Sequence, residues 1–145
     1  MKITTCLFLL LCCQSVIAQE NFCDTGKPHA IDLWFEKEMD KTEGVTANIR
    51  EVQGQAYSRW DKELNRVYGE LLNKFNEADK KRLREAQRAW LKFYDAETQW
   101  LWAEALFGAG GSMAPVAVSD RAREMVRGRV CTLLRYQKMK EDLGN

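Results

Sequence analysis

The sequence is poor in proline, which breaks helices, and in histidine, which often serves in catalysis or binds metal ions. It has one histidine, His29, and two prolines, Pro28 and Pro115, among 145 residues, and its formal net charge is only +1. A balanced charge provides no basic surface for nucleic acid, so nucleic acid is not expected as a partner. The absence of proline between residues 29 and 114 leaves that stretch open to long helices.

The sequence also lacks the residue sets that enzymes and metal sites need. A single histidine cannot build a metal cluster with Cys23 and Cys131 if those cysteines bond each other, and no nucleophile stands near it. Carboxylates two residues apart, as in Asp95 and Glu97, point to different faces of a helix. The stretch GAGGS lacks the Lys-Ser/Thr ending of a phosphate-binding loop. We therefore predict no enzyme activity, no cofactor and no metal.

The first 18 residues have the pattern of a secretory signal. Lys2 is followed by an apolar run from Ile3 to about Cys13, and small residues end the segment at Ala18. An uncleaved membrane anchor is the competing interpretation, but the run is shorter than the roughly 18 residues that span a bilayer. We expect cleavage after Ala18, a periplasmic or secreted protein without stable membrane insertion, and a single domain over residues 19–145.

Cleavage would leave two cysteines, Cys23 and Cys131, one near each end of the mature chain. In an oxidising compartment such a pair most simply forms a disulfide. The alternative is a free or intermolecular thiol at each end. A disulfide here would close a loop of more than a hundred residues.

Apolar residues recur every three or four positions through most of the chain, and no strand-like alternation is found. The spacing predicts helices from Pro28 to about Lys41, from about Thr46 to Phe75, from an Asn76 cap through Phe107, and from Ser119 to about Leu143. Residues 108–119 are predicted as the one clear loop. The fold class is all-α: a long antiparallel hairpin with a shorter N-terminal helix and a C-terminal helix, its terminal regions joined by the disulfide.

Four arginines of the predicted last helix form a second feature with two interpretations. They are Arg121, Arg123, Arg127 and Arg129. One interpretation is a binding face for an anionic glycan, lipid headgroups or an acidic protein. The other, which we favour, is a solvated surface with local ion pairs, because acidic residues lie among the arginines.

Two segments of the predicted hairpin, YSRWDKELNRVYGELL and LREAQRAWLKFYDAET, resemble the paired signatures of the secreted family named for the lysozyme inhibitor LprI. The signature D-x-x-L-N-x-x-Y is matched by Asp61, Leu64, Asn65 and Tyr68. The signature Q-R-x-W-L-x-[YF]-R-D-x-x-C is matched by Gln87, Arg88, Trp90, Leu91, Phe93 and Asp95. Two positions depart from it, since Tyr94 stands where Arg is usual and Thr98 where Cys is usual.

The resemblance implies a protein that binds rather than catalyses. For the family's namesake it implies inhibition of lysozyme, so a lysozyme or another cell-wall-active enzyme is the expected partner. We expect most signature residues to hold the hairpin together through buried hydrogen bonds. Two alternatives stay open: another periplasmic interaction role, such as an immunity protein against a secreted toxin or an envelope-stress factor, and an envelope hydrolase with converging polar residues.

The candidate contacts with such a partner lie just beyond the second signature. Trp100 and Trp102 are two residues apart, so they cannot both face the same core. The adjoining loop segment Gly110, Gly111 and Ser112 has little bulk and could enter a cleft that holds two carboxylates. The simpler interpretation, which we favour, is that this loop only joins two helices. The oligomeric state is not determined by these features.

Overall fold

Five helices make up the part of the chain that the computed structural model describes, which is residues 22–103, 106, 111 and 113–144. They are α1 (Phe22–Thr25), α2 (Ala30–Asp40), α3 (Thr46–Asn73), α4 (Glu77–Trp100) and α5 (Ala114–Leu143). No strand occurs in these residues, which confirms the all-α prediction. None of the five helices has the length and apolar character to cross a membrane. The predicted signal segment lies outside the described residues.

Helices α3 and α5 form the centre of the fold and run parallel to each other. Near one end, Gln53 and Ala117 line the same cleft, and near the other, Lys74 forms a salt bridge with Glu141. The core between them holds the indole of Trp60, which has no exposed surface. Its other buried members are Leu64, Val67, Leu71, Leu83, Val126, Val130 and Leu133. Fully burying such a side chain contributes about 1.5–3 kcal/mol, so this apolar stripe holds the helices together.

Helix α4 folds back along α3, which confirms the predicted antiparallel hairpin. The Asn76 side chain accepts a hydrogen bond from the backbone N–H of Asp79 at 3.0 Å and caps α4 directly after the turn. At the far end of the hairpin the Tyr94 hydroxyl donates to the Tyr57 hydroxyl at 3.2 Å. Burial raises the pKa of Tyr94, so this hydroxyl keeps its proton through the neutral range.

Helix α2 lies on the other side of the central pair and runs antiparallel to α3. The Arg59 guanidinium lies 4.0 Å from the centre of the Trp34 ring, and further along, His29 Nε2 lies 4.0 Å from Glu63 Oε1. The turn between the two helices passes through Gly44, whose φ of +75° is a conformation that glycine adopts without steric cost. The two flanking helices, α2 and α4, therefore cover opposite sides of the α3–α5 pair.

The start of α2 is built around His29. Its Nδ1 accepts a hydrogen bond from the Ile31 N–H at 3.1 Å, while Asp32 accepts one from the His29 N–H at 3.2 Å, so the two side chains form a capping box. The imidazole also packs against two aromatic rings that touch each other, with its centroid 4.8 Å from those of Phe22 and Trp60. The cap thereby covers one side of the central indole.

Long-range links join this N-terminal region to α5. The Arg127 guanidinium donates to the Asp32 carboxylate, with Nη2 and Nε each 2.9 Å from a carboxylate oxygen. Cys23 and Cys131 form the predicted disulfide, which is confirmed, with their Cα atoms 5.7 Å apart. Helix α1 is a single turn, and the disulfide fixes it against α5.

Two predicted boundaries are wrong. The third helix was expected to continue through Phe107, but α4 ends at Trp100, and the Trp102 and Ala103 N–H groups make tighter bonds to carbonyls three residues back. The last helix was expected to begin at Ser119, but α5 begins at Ala114. Pro115 lies in its first turn, where the missing N–H would have no helical partner, so the proline starts this helix instead of interrupting the chain before it.

Replacing both Cys23 and Cys131 by alanine is expected to lower the free energy of unfolding by about 2–5 kcal/mol, because the bond closes a loop across 108 residues of sequence. The measurement is urea unfolding of the mature protein, followed by far-UV circular dichroism. Reduced wild-type protein is the control and should unfold at the same urea concentration as the double variant. A variant that unfolds at the midpoint of the oxidised wild type would contradict the prediction.

Candidate protein-binding surface

One end of the bundle carries a group of exposed apolar side chains. The antiparallel arrangement brings the last turns of α2 and α4 together with the first turns of α3 and α5, and we call this region the loop end. Its exposed apolar residues are Val45, Trp100, Trp102, Leu106 and Met113. Trp100 and Trp102 are 55% and 57% exposed, so the structure leaves both candidate tryptophans open to solvent. An apolar surface of this kind is a common mark of a protein-interaction site.

A cleft of about 480 Å³ opens between α2 and α5 at the same end. Its lining is mostly apolar and consists of Phe35, Met39, Gln53, Gly111, Met113, Ala114, Val116, Ala117 and Asp120. Gly111, one of the predicted loop contacts, is thus part of the cleft wall. Gly110 and Ser112 lie outside the described residues. The cleft can receive an apolar side chain from another protein, with the loop-end tryptophans lying outside it.

The polar groups of the described residues include paired carboxylates but no metal-binding cluster. No group of three or more His, Cys, Asp or Glu side chains in this part of the chain could hold a metal ion. Glu63 accepts hydrogen bonds from Arg66 at 2.5 and 2.8 Å, and these bonds lower the pKa of Glu63. A carboxylate held ionised in this way is a poor general acid.

Part of the family signature lies in a buried polar contact between α4 and α5. Arg129 Nε donates to Gln87 Oε1 at 2.9 Å, and the guanidinium lies 5.6 Å from the centre of the Trp90 ring. Burial lowers the pKa of Arg129. Leu64 belongs to the core cluster, and Tyr68 packs against it. Gln87 therefore links α4 to α5. A contact within the hairpin would instead link α4 to α3.

The remaining signature residues are more exposed. The Asn65 side chain donates to the Asp61 carbonyl at 2.9 Å and to its carboxylate at 3.2 Å, both within α3. Arg88 and Asp95 lie on the solvent side of α4. These residues support the local helix or face solvent, in contrast to the buried hairpin bonds that we expected.

The two departures from the signature have local partners. Tyr94, at the usual arginine position, makes the hydroxyl contact with Tyr57 that links the far end of the hairpin. Thr98, at the usual cysteine position, donates from its hydroxyl to the backbone carbonyls of Tyr94 and Asp95 at 2.9 and 3.0 Å. Both side chains are therefore satisfied without the cysteine.

We favoured a solvated surface for the four arginines of the last helix. That interpretation is wrong for two of them. Arg123 and Arg129 are 6% and 9% exposed. The Arg123 guanidinium lies 4.2 Å from the centre of the Phe35 ring and pairs with Asp120 at 2.7 Å. Stacking and pairing offset the cost of burying the charge. A signal was available, because Arg123 precedes Val126 at the spacing of the buried stripe.

A comparison with protein families gives a match over most of the helical region. The family model described as Lysozyme inhibitor LprI matches residues 38–133, about two thirds of the chain. The matched range includes all of α3 and α4 and both signature segments. No curated protein and no solved structure matches the chain.

Replacing Gln87 by leucine is expected to lower the free energy of unfolding by about 1–3 kcal/mol, because the buried Arg129 guanidinium loses its acceptor. Replacing the exposed neighbour Arg88 by alanine should change it by less than about 0.5 kcal/mol. Urea unfolding measures both values.

The double variant Gln87→Leu with Arg129→Met separates the contact from simple packing. Removing both polar partners should recover part of the stability that Gln87→Leu loses. Strictly additive losses in the double variant would show that the two side chains are not coupled.

Proposed function

Because this chain belongs to the LprI lysozyme inhibitor family, we propose that it is a non-catalytic binding protein outside the cytoplasm that inhibits a lysozyme or another cell-wall-active enzyme. The Cys23–Cys131 disulfide supports the location, since structural disulfides persist mainly in oxidising compartments. The predicted signal segment over residues 1–18 supports the same location.

The observation that carries this proposal is the concentration of exposed apolar side chains at the loop end. Tryptophan is enriched among the residues that dominate protein–protein binding energies, and two tryptophans more than half exposed lie here beside an apolar cleft. Exposed Met113 adds an adaptable apolar contact at the mouth of this cleft. We propose the loop end as the surface that contacts the enzyme.

The mode of inhibition that follows is physical obstruction of the enzyme's cleft. Glycosidases of this kind hold two carboxylic side chains on either side of the bond that they cleave. The segment 108–112 has the sequence GAGGS, which carries no acidic side chain and little bulk. We propose that it enters the cleft without charge repulsion, while Trp102 and Met113 pack on the rim. No reaction on this chain is required.

The test is an assay of cell-wall lysis by c-type, g-type and i-type lysozymes with the mature, oxidised protein added. We expect inhibition of at least one class at micromolar concentration. Trp102→Ala should weaken that inhibition by about 30-fold, because tryptophan is enriched among the interface residues whose truncation costs most. The matched control is Leu33→Ala on α2, which removes a side chain that is also about half exposed, 52% against 57%, outside the loop end.

Two results would contradict the proposal. Failure of the folded protein to inhibit any of the three classes at micromolar concentration would remove lysozyme as the partner. An equal loss of inhibition in Trp102→Ala and Leu33→Ala would remove the loop end as the contact surface. A pull-down from envelope extract that captures a secreted toxin would favour the immunity alternative.

A further inference from the structure

Helix α4 carries an apolar stripe along its outer face, away from the core. The stripe consists of Ala86, Ala89, Phe93, Ala96 and Trp100, all of which are exposed. The helix turns its other side inward, where Leu83 and Gln87 are buried. Phe93 and Trp100 are each 55% exposed, which is a large fraction for such side chains in the middle and last turn of a well-formed helix. The loop end accounts for Trp100 but not for Phe93.

The spacing of the stripe is that of a helix-packing seam. Its residues follow one another at intervals of three, four, three and four positions, as the a and d positions of paired helices do. Small and large residues alternate from Ala89 to Trp100, with Phe93 and Trp100 at one kind of position and Ala89 and Ala96 at the other. A partner helix with the reverse alternation would fill this surface.

The reverse alternation is supplied by the same stripe running in the opposite direction. If a second copy of α4 lies antiparallel, Phe93 faces Ala96 of the second copy and Trp100 faces Ala89 of the second copy. Each large ring then meets an alanine, which allows close packing at every level. A parallel alignment would set Phe93 against Phe93 and alanine against alanine, so the interface would be crowded at one level and empty at the next.

We propose that the stripe is a homodimer interface in which two α4 helices pack antiparallel about a two-fold axis level with residues 94 and 95. Such an interface uses the same patch of both copies, as in most symmetric dimers. It does not depend on the proposed inhibition of lysozyme. Trp100 belongs to both the stripe and the loop end, whereas Trp102, Met113 and the cleft are not part of the stripe.

The surface area that the stripe can bury limits the stability of the dimer. A phenylalanine or tryptophan can bury about 150–250 Å², so each half-exposed ring offers on the order of 100 Å². The four rings of a dimer would contribute about 400 Å², against about 1,200 Å² for the smallest stable interfaces. The alanines and the stems of flanking side chains must supply the rest. We therefore expect a dimer that assembles at tens to hundreds of micromolar protein, not a permanent one.

Sedimentation equilibrium of the mature protein over a range from micromolar to millimolar tests this proposal. The average mass should rise from monomer toward dimer with concentration. Phe93→Glu should weaken association at least 30-fold. Leu91→Glu is the matched control: Leu91 is 45% exposed, two residues away on the same helix and outside the stripe, and its replacement should leave association unchanged. Circular dichroism establishes that both variants are folded.

Cysteine cross-linking tests the antiparallel direction. With Cys23 and Cys131 bonded to each other, an added cysteine is the only free thiol of the mature chain. At a rise of about 1.5 Å per residue, the two copies of residue 96 would lie about 5 Å apart along the axis and those of residue 86 about 25 Å apart. Under mild oxidation, Ala96→Cys should form a covalent dimer, and Ala86→Cys should not.

The results that overturn the proposal are distinct from those that concern lysozyme. Cross-linking of both cysteine variants would show a parallel or unspecific contact. A protein that stays monomeric at millimolar concentration would exclude the dimer. If Phe93→Glu then abolished inhibition of lysozyme, the stripe would belong to the enzyme contact instead. Inhibition by Phe93→Glu at the wild-type level, with association lost, would support a dimer contact at Phe93 that the enzyme contact does not use.

Discussion

The complete burial of the Trp60 indole is the constraint on which the rest of the structure depends. The ring lies between α3 and α5, and it is covered by Phe22, by the His29 imidazole and by the Arg127 guanidinium 5.6 Å from its centre. Each of these groups comes from a different segment and is held by its own bond. The disulfide holds the segment of Phe22, the capping box holds His29, and Asp32 holds Arg127. The N-terminal region is therefore held in place by these bonds and by its contacts with the Trp60 indole.

The helices could be predicted from the sequence because their signals are local. The apolar period of α3 and the Asn76 cap of α4 are signals that act within one or two turns. Helix α3 and the start of α4 therefore lie where the sequence predicts them, except that α3 ends two residues before the predicted Phe75. The start of α5 was missed because residues 108–119 were interpreted as one loop that contains Pro115, although proline in a first helical turn is equally consistent with a start. Contacts such as Tyr57 with Tyr94 join residues 37 positions apart, and no local pattern encodes them.

The candidate surface was only partly predictable for the same reason. That Trp100 and Trp102 could not share one core follows from helical geometry, and both are open to solvent. The cleft beside Met113 depends on how α2 meets the first turns of α5, which the sequence does not show. Arg123 and Arg129 illustrate the opposite error, because the acidic residues among the four arginines were taken to indicate a solvated surface with local ion pairs. Their aromatic neighbours Phe35 and Trp90 lie on other helices, so the sites that accommodate these charges exist only in the folded protein.

Residues 101–113 join α4 to α5 in the sequence. Peptide-bond cleavage there would separate α5 from the preceding helices in sequence, but the bond between Cys23 and Cys131 spans that site. The two fragments would stay covalently joined, and the stripe between α3 and α5 would keep them packed. A molecule cleaved there would therefore stay in one piece while the disulfide is intact, and it would come apart only where thiols are also reduced.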